Sequence, residues 1–414
     1  MSNQRIRIPI KLFAIIGLYV VLLTGPTKAW AFDTTTNSPV FAMAQQADGK
    51  ILLGGAFSAV FFGDDSVVLR NRLVRLNLDG SLDDSFDIGS GANGTIFAIA
   101  LQADGKILIG GDFEEFNNIP RVRIARLNTN GSVDSSFSGG SGFNDTVLAL
   151  TIQADGKIVT GGDFDTVQAN PLNRIARLNT DSSVDQDFDP GQGANARVRA
   201  VALQNDGKIV IGGDFTTVNQ STRGYFARLN TDGSLDSGVG AIARANAPVH
   251  DVTIQNDGRI LVGGEFTQTG FSVRNRIARV FTNGELDTGF STGSGANSTI
   301  TKMALQPSGK IVIGGLFTVV RGNTRNRIAR LNTDSSVDAT FDLGAGPDDN
   351  ISSLLSQLND KVLIGGFFAN IGNVNRPHLA RLRSNGRLDL DSGPENETCF
   401  PVKAANGNVV VNCL

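Results

Sequence analysis

Four acids recur one repeat apart, Asp112, Asp163, Asp214 and Glu265. Each stands between a pair of glycines and a phenylalanine. Carboxylates at this spacing can collect a cation or a cationic partner if the fold brings them to one rim. The same place in other copies holds Leu316, Phe367 and Ala56, so an apolar arc would face the acidic one. The plainer reading is a set of solvated strand-end carboxylates.

A second set joins opposite charges eight residues apart: Arg75 with Asp83, Arg126 with Asp134, Arg177 with Asp185, and four further copies. A three-residue turn at 78–80 puts Arg75 directly opposite Asp83, which predicts a cross-strand ion pair in every copy. All copies keep both partners, which points to a structural role rather than a ring of ligands. The two cysteines, Cys399 and Cys413, flank Asn406-Gly407, a strong hairpin signal. A three-residue loop there places them across from each other and predicts a disulfide.

Other chemistry finds little support. The two histidines, His250 and His378, fall in different strand types, and neither sits in a nucleophile motif. Forty acids spread through turns single out no glycosidase pair, and no zinc or dinucleotide spacing is present. No cofactor is expected. A Ca²⁺ site at 230–236, "NTDGSLD", is the one metal reading, but it lacks the twelve-residue loop and terminal glutamate of an EF-hand.

These residues are positioned by a repeat. Gln46, Gln102, Gln153, Gln204, Gln255, Gln306 and Gln357 mark seven copies, spaced by 56 residues once and by 51 thereafter. One copy reads as four short strands, "TIFAIALQ", "KILIGGDF", "RIARLN" and "SVDSSF", joined by turns ending in Asp-Gly or Asn-Gly. The first two strands are apolar on both faces, so each sheet must be covered on both sides. Antiparallel sheets that cover one another at this period predict radial stacking. The fold class is therefore all-β, a seven-bladed β-propeller of four-stranded blades, followed by a C-terminal β-hairpin. The paired glycines would allow close backbone approach between blades, and the phenylalanine after each pair would anchor the core.

The pattern "ALQADGKILIGGDF" followed by "RIARLNTDGSLDSSF" resembles the delta-60 repeat, a bacterial repeat family with a β-propeller fold, over roughly residues 41–391. The resemblance implies the fold and brings no catalytic residue or ligand with it.

Residues 1–31 carry a basic start, an apolar run at 12–23 and Ala29-Trp30-Ala31. That layout predicts a cleaved export signal, a mature propeller over 32–391, a tail over 392–414, and a secreted or periplasmic location. The run is too short to span a bilayer. The formal net charge is −3, and loss of the four basic residues of the signal makes it −7. An acidic chain without a basic stripe argues against a nucleic-acid partner. Copy one carries an insertion at 61–69, where Phe61 and Phe62 are candidates for partner anchoring. The expected function is that of a monomeric, non-catalytic binding or scaffold module presenting one ring face to a protein, glycan or envelope partner. A polysaccharide hydrolase or lyase with carboxylates at the ring mouth is the alternative.

Overall fold

The computed structural model describes residues 32–238 and 244–390, together with the tail strands 399–403 and 409–413. The expected export signal at 1–31, the linker 391–398 and the hairpin loop 404–408 lie outside the described residues.

Each repeat folds as one antiparallel sheet, and the chain is an all-β, seven-bladed β-propeller. In blade two the strands are Ile96–Leu101, Ile107–Gly111 and Ile124–Leu127, with the second in the middle. The fourth strand is short, held by the single bridge between Leu127 and Val133. The first strands of successive blades pack on one another around the axis, and Val40–Gln45 meets Ile351–Ser356 to close the ring. Middle strands are buried throughout, because both faces of "ILIGG" lie against other blades. A small outer hairpin, Glu115–Phe116 with Ile119–Pro120, was not legible in the repeat; its counterparts recur in blades three to seven.

The paired glycines do two different jobs. A Cβ on Gly110 would come within 2.7 Å of Val147 Cγ1 in the next blade, so this glycine makes room for a neighbour's side chain. A Cβ on Gly111 would overlap the Thr95 carbonyl of its own blade, where the first strand bulges between Ile96 and Ala98. Close approach between blades thus explains the first glycine and not the second.

The arginine–aspartate pairs bolt the blades together. Arg75 Nε donates to Asp83 Oδ2 at 2.6 Å, and the same bond recurs as Arg126–Asp134 at 2.7 Å and Arg177–Asp185 at 2.5 Å. Each arginine also reaches a carbonyl in the following blade: Arg75 to Thr129 O at 2.6 Å, Arg126 to Thr180 O at 2.6 Å, and Arg381 across the ring junction to Leu78 O at 2.5 Å. Burial pushes the Asp83 carboxyl up, but hydrogen bonds from Ser85, Lys50 and Arg75 outweigh it and hold the group well below the usual carboxylate range.

The arginines further lie over phenylalanines, Arg75 over Phe86 and Arg126 over Phe137. Five copies have a phenylalanine at that place, copy four has Val239, and copy seven has Ser392. Phe32 supplies the ring of copy seven, beneath Arg381, and Thr34 Oγ1 donates to Gly80 O at 2.7 Å. Read alone, all seven units look complete. In the fold, the seventh borrows its last residues from the other end of the chain.

The insertion of copy one forms a second hairpin, Ala59–Phe61 with Val67–Leu69, joined at its other edge by Thr35–Thr36. Phe62 folds back onto the core, while Phe61 stays 37% exposed. In the tail, strands Cys399–Lys403 and Val409–Cys413 pair antiparallel, with Cys399 opposite Cys413. No helix among the described residues is long and apolar enough to cross a membrane.

Candidate functional site

The first strands begin at one mouth of the central channel, and this is where the copies differ most. Equivalent places hold Phe41, Phe97, Leu148, Arg199, His250, Thr301 and Ser352. Phe41 lies 5.2 Å from Phe97 and 5.7 Å from Phe367, ring centroid to ring centroid. Phe367 is 47% exposed and Leu316 is 38% exposed. The predicted apolar arc is therefore widened by two aromatic rings from the first strands, giving a shelf of three phenylalanines.

The charged side of the mouth is laced by its own cations. Asp214 receives both Arg199 Nε, at 2.7 Å, and Nη2, at 2.8 Å. Asp163 is bound by Arg197 at 2.7 Å, a contact that raises the arginine's pKa. Glu265 Oε1 lies 2.8 Å from His250 Nε2. Burial pulls the His250 pKa down and outweighs the opposing pull of Glu265. Asp112 differs: its Oδ1 is buried and has no hydrogen-bond partner. The four acids do share one rim, but Asp163 and Asp214 already hold arginines and Glu265 pairs with His250.

Deeper in the channel a further pair breaks the repeat. Copies one to four have alanine one residue inside the mouth, whereas the last three have Asp251, Lys302 and Ser353. Asp251 Oδ1 lies 3.5 Å from Lys302 Nζ, and its Oδ2 accepts the Met303 N–H at 2.8 Å. Burial raises the Asp251 pKa above the usual carboxylate range despite both contacts. Arg197, Arg199, Asp251 and Lys302 are residues that the recurring positions do not single out. The signal for the last two is the loss of alanine from a small-residue position.

The other candidates lie elsewhere. Phe61 and Phe62 sit at the edge of blade one. The oxygens of 230–236 serve their own turn: Asp232 Oδ1 accepts from Ser234 N and Oγ at 2.9 and 2.6 Å, and Asp236 binds Arg228. Among the described residues, no group of three or more His, Cys, Asp and Glu side chains is placed to hold a metal ion. His378 Nδ1 lies 2.9 Å from Gly366 O, away from the mouth acids.

Comparison with known proteins bears on the fold. Among solved structures, the chain is similar to the WD40 beta propeller domain of Doa1, with 14% identity, a TM-score of 0.51, and 81% of this chain and 93% of that one covered. It is also similar to the extracellular domain of BT4673 from B. thetaiotaomicron, with 14% identity and a TM-score of 0.52. That match covers 91% of this chain and spans 41% of the other. At such identity these likenesses speak for the fold alone. A comparison with curated proteins finds no match. Seven segments, 46–86, 102–137, 153–188, 204–238, 255–290, 306–341 and 357–391, match a family model described as "Domain of unknown function (DUF5122) beta-propeller". They make up more than half of the sequence, and the chain belongs to the DUF5122 beta-propeller family.

Proposed function

We propose that this propeller is an exported, non-catalytic binding module that docks a protein partner on the channel mouth. The observation that carries this reading is the contrast between the two sides of the mouth. Phe41, Phe97 and Phe367 form a partly exposed aromatic shelf, while Asp163, Asp214 and Glu265 are occupied by Arg197, Arg199 and His250. An aromatic centre beside a rim of internally paired charges is the composition of a protein interface, in which rings give affinity and rim charges give orientation. A hydrolase or lyase would need mouth carboxylates free to exchange protons with substrate, whereas Asp163 and Asp214 are held by arginines and Glu265 is bound to His250.

The export signal, the delta-60 resemblance, the monomeric state and the Cys399–Cys413 disulfide belong to the same reading. The test is photo-crosslinking from position 97, with position 206 at the other end of the channel as control, in the presence of envelope extract. Binding at the mouth gives a discrete protein adduct from 97 and none from 206. Equal adducts from both, or none from 97, would reject it.

A further inference from the structure

Two stretches that occur once in the chain, the insertion of copy one and the C-terminal tail, take no part in the mouth. In blades two to seven the outer hairpin pairs two residues a side, and in blade one it pairs three, Ala59–Phe61 with Val67–Leu69. Thr35–Thr36 covers one edge of this hairpin and leaves Val67–Leu69 as the open edge of the sheet. Val67 is 53% exposed and Leu69 is 78% exposed.

The ladder fixes which backbone groups face outward. Phe62 N–H donates to Ser66 O at 3.0 Å, and Arg70 N–H donates to Ser58 O at 3.0 Å. Hydrogen-bonded pairs alternate along an antiparallel ladder, so Val60 and Val68 form the pair between these two. Val67 and Leu69 therefore turn N–H and C=O to the open side, where Arg70 Nη1 reaches Leu69 O at 3.2 Å. An apolar edge of this kind accepts one further strand.

The tail has such a strand to offer. Cys399–Lys403 and Val409–Cys413 form a separate sheet of two strands, and a lone hairpin is marginally stable in water. Proline lacks an N–H and belongs on an outer edge, which makes Cys399–Lys403, with Pro401, the outer strand. Val411 stands opposite Pro401, so its own N–H and C=O point away from that strand. Val409, Val410 and Val411 are β-branched, as suits a strand with neighbours on both sides.

The tail also starts in the right place. Arg381 holds Asp389 at 2.7 Å and lies over Phe32, and Gly63 of the insertion has no room for a Cβ beside Asp33. From Gly63 to Val67 is at most about 14 Å of chain, and residues 391–398 can span about 29 Å.

We propose that Val409–Cys413 docks on the Val67–Leu69 edge, joining insertion and tail in one five-stranded sheet outside blade one. The proposal does not depend on the protein-docking reading of the mouth.

The experiment is photo-crosslinking of the full chain from position 69, followed by digestion and mass spectrometry. Position 273 is the control, on the equivalent hairpin of blade five and 67% exposed. Docking gives an adduct between 69 and the peptide holding 409–413 at the mass of a single chain, and none from 273. Val411→Pro removes an outward N–H and spares the tail's own ladder. It should lower the adduct yield, and speed exchange of the Val67 and Leu69 amides, by about tenfold. The melting temperature should not change, because the tail lies outside the repeats. The proposal is overturned if 69 labels no tail residue, if 273 labels the tail equally, or if Val411→Pro labels as the wild type does. An adduct joining two chains would also overturn it, since the edge would then belong to a second copy.

Discussion

The Phe32 ring lies beneath the Arg381 guanidinium, 4.7 Å from Cζ to ring centroid, in the place that Phe341 holds at 4.7 Å beneath Arg330. Residues at opposite ends of the propeller thus complete one blade, and Arg376 pairs with Asp33 beside them. The N-terminal segment is a working part of blade seven.

Phe32→Ala should therefore destabilise the ring as a core truncation does, by about 3–5 kcal/mol, although the residue stands outside every repeat. Hydrogen exchange should quicken first in Val40–Gln45 and Ile351–Ser356, the strands that meet at the junction. Exchange that rises equally in all blades would show that the clasp is not local.

Acid should loosen the ring through the repeated aspartates. Asp236 is held at about 2: burial pushes it up, but Lys208, the Gly238 N–H and Arg228 outweigh that, and Asp83, Asp134 and Asp338 are also lowered. A folded value below the unfolded one gives stability that is present above the unfolded value and lost as pH falls toward the folded one. Melting temperature should hold near neutrality and fall progressively between about pH 4 and pH 2. A profile flat to pH 2 would mean that the pairs do not couple to folding.

Asp251 and Lys302 break a position that is alanine in four copies. Lys302→Ala alone leaves a buried carboxylate without its cation and should cost about 3–5 kcal/mol at neutral pH. Restoring the repeat with Asp251→Ala and Lys302→Ala together should be neutral or stabilising by about 1–4 kcal/mol. Because the Asp251 pKa is raised, the penalty of its charge grows as pH rises through the folded value, so the single variant should recover in acid. Denaturant titrations of the wild type and the two variants at two pH values decide this.

The register of the tail, with Cys399 opposite Cys413, suits a cross-strand disulfide. Mass spectrometry after alkylation without reductant should find neither thiol labelled. Double labelling would remove the bridge from the account.

Much of this fold could be read from the chain. The constant period marked seven sheets, and the eight-residue spacing set Arg75 against Asp83 because a tight turn leaves no other register. The repeat concealed what happens between copies. Arg75 also grips Thr129 O, 54 positions away in the next blade, and no spacing within one copy reveals that bond. The missing ring of copy seven was visible as Ser392, yet its replacement, Phe32, lies before the first repeat. The acids of the mouth were visible too. Their arginines were not, because Arg197 reaches back 34 positions to Asp163 while Arg199 reaches forward 15 to Asp214.

The most direct test of the functional account compares wild type with the double variant Phe41→Ser and Phe367→Ser in binding to the protein captured by crosslinking from position 97. Both side chains are partly exposed, so the fold should survive, and affinity should drop on the order of a hundredfold as two central rings are lost. Unchanged affinity would show that the aromatic shelf is not where the partner docks.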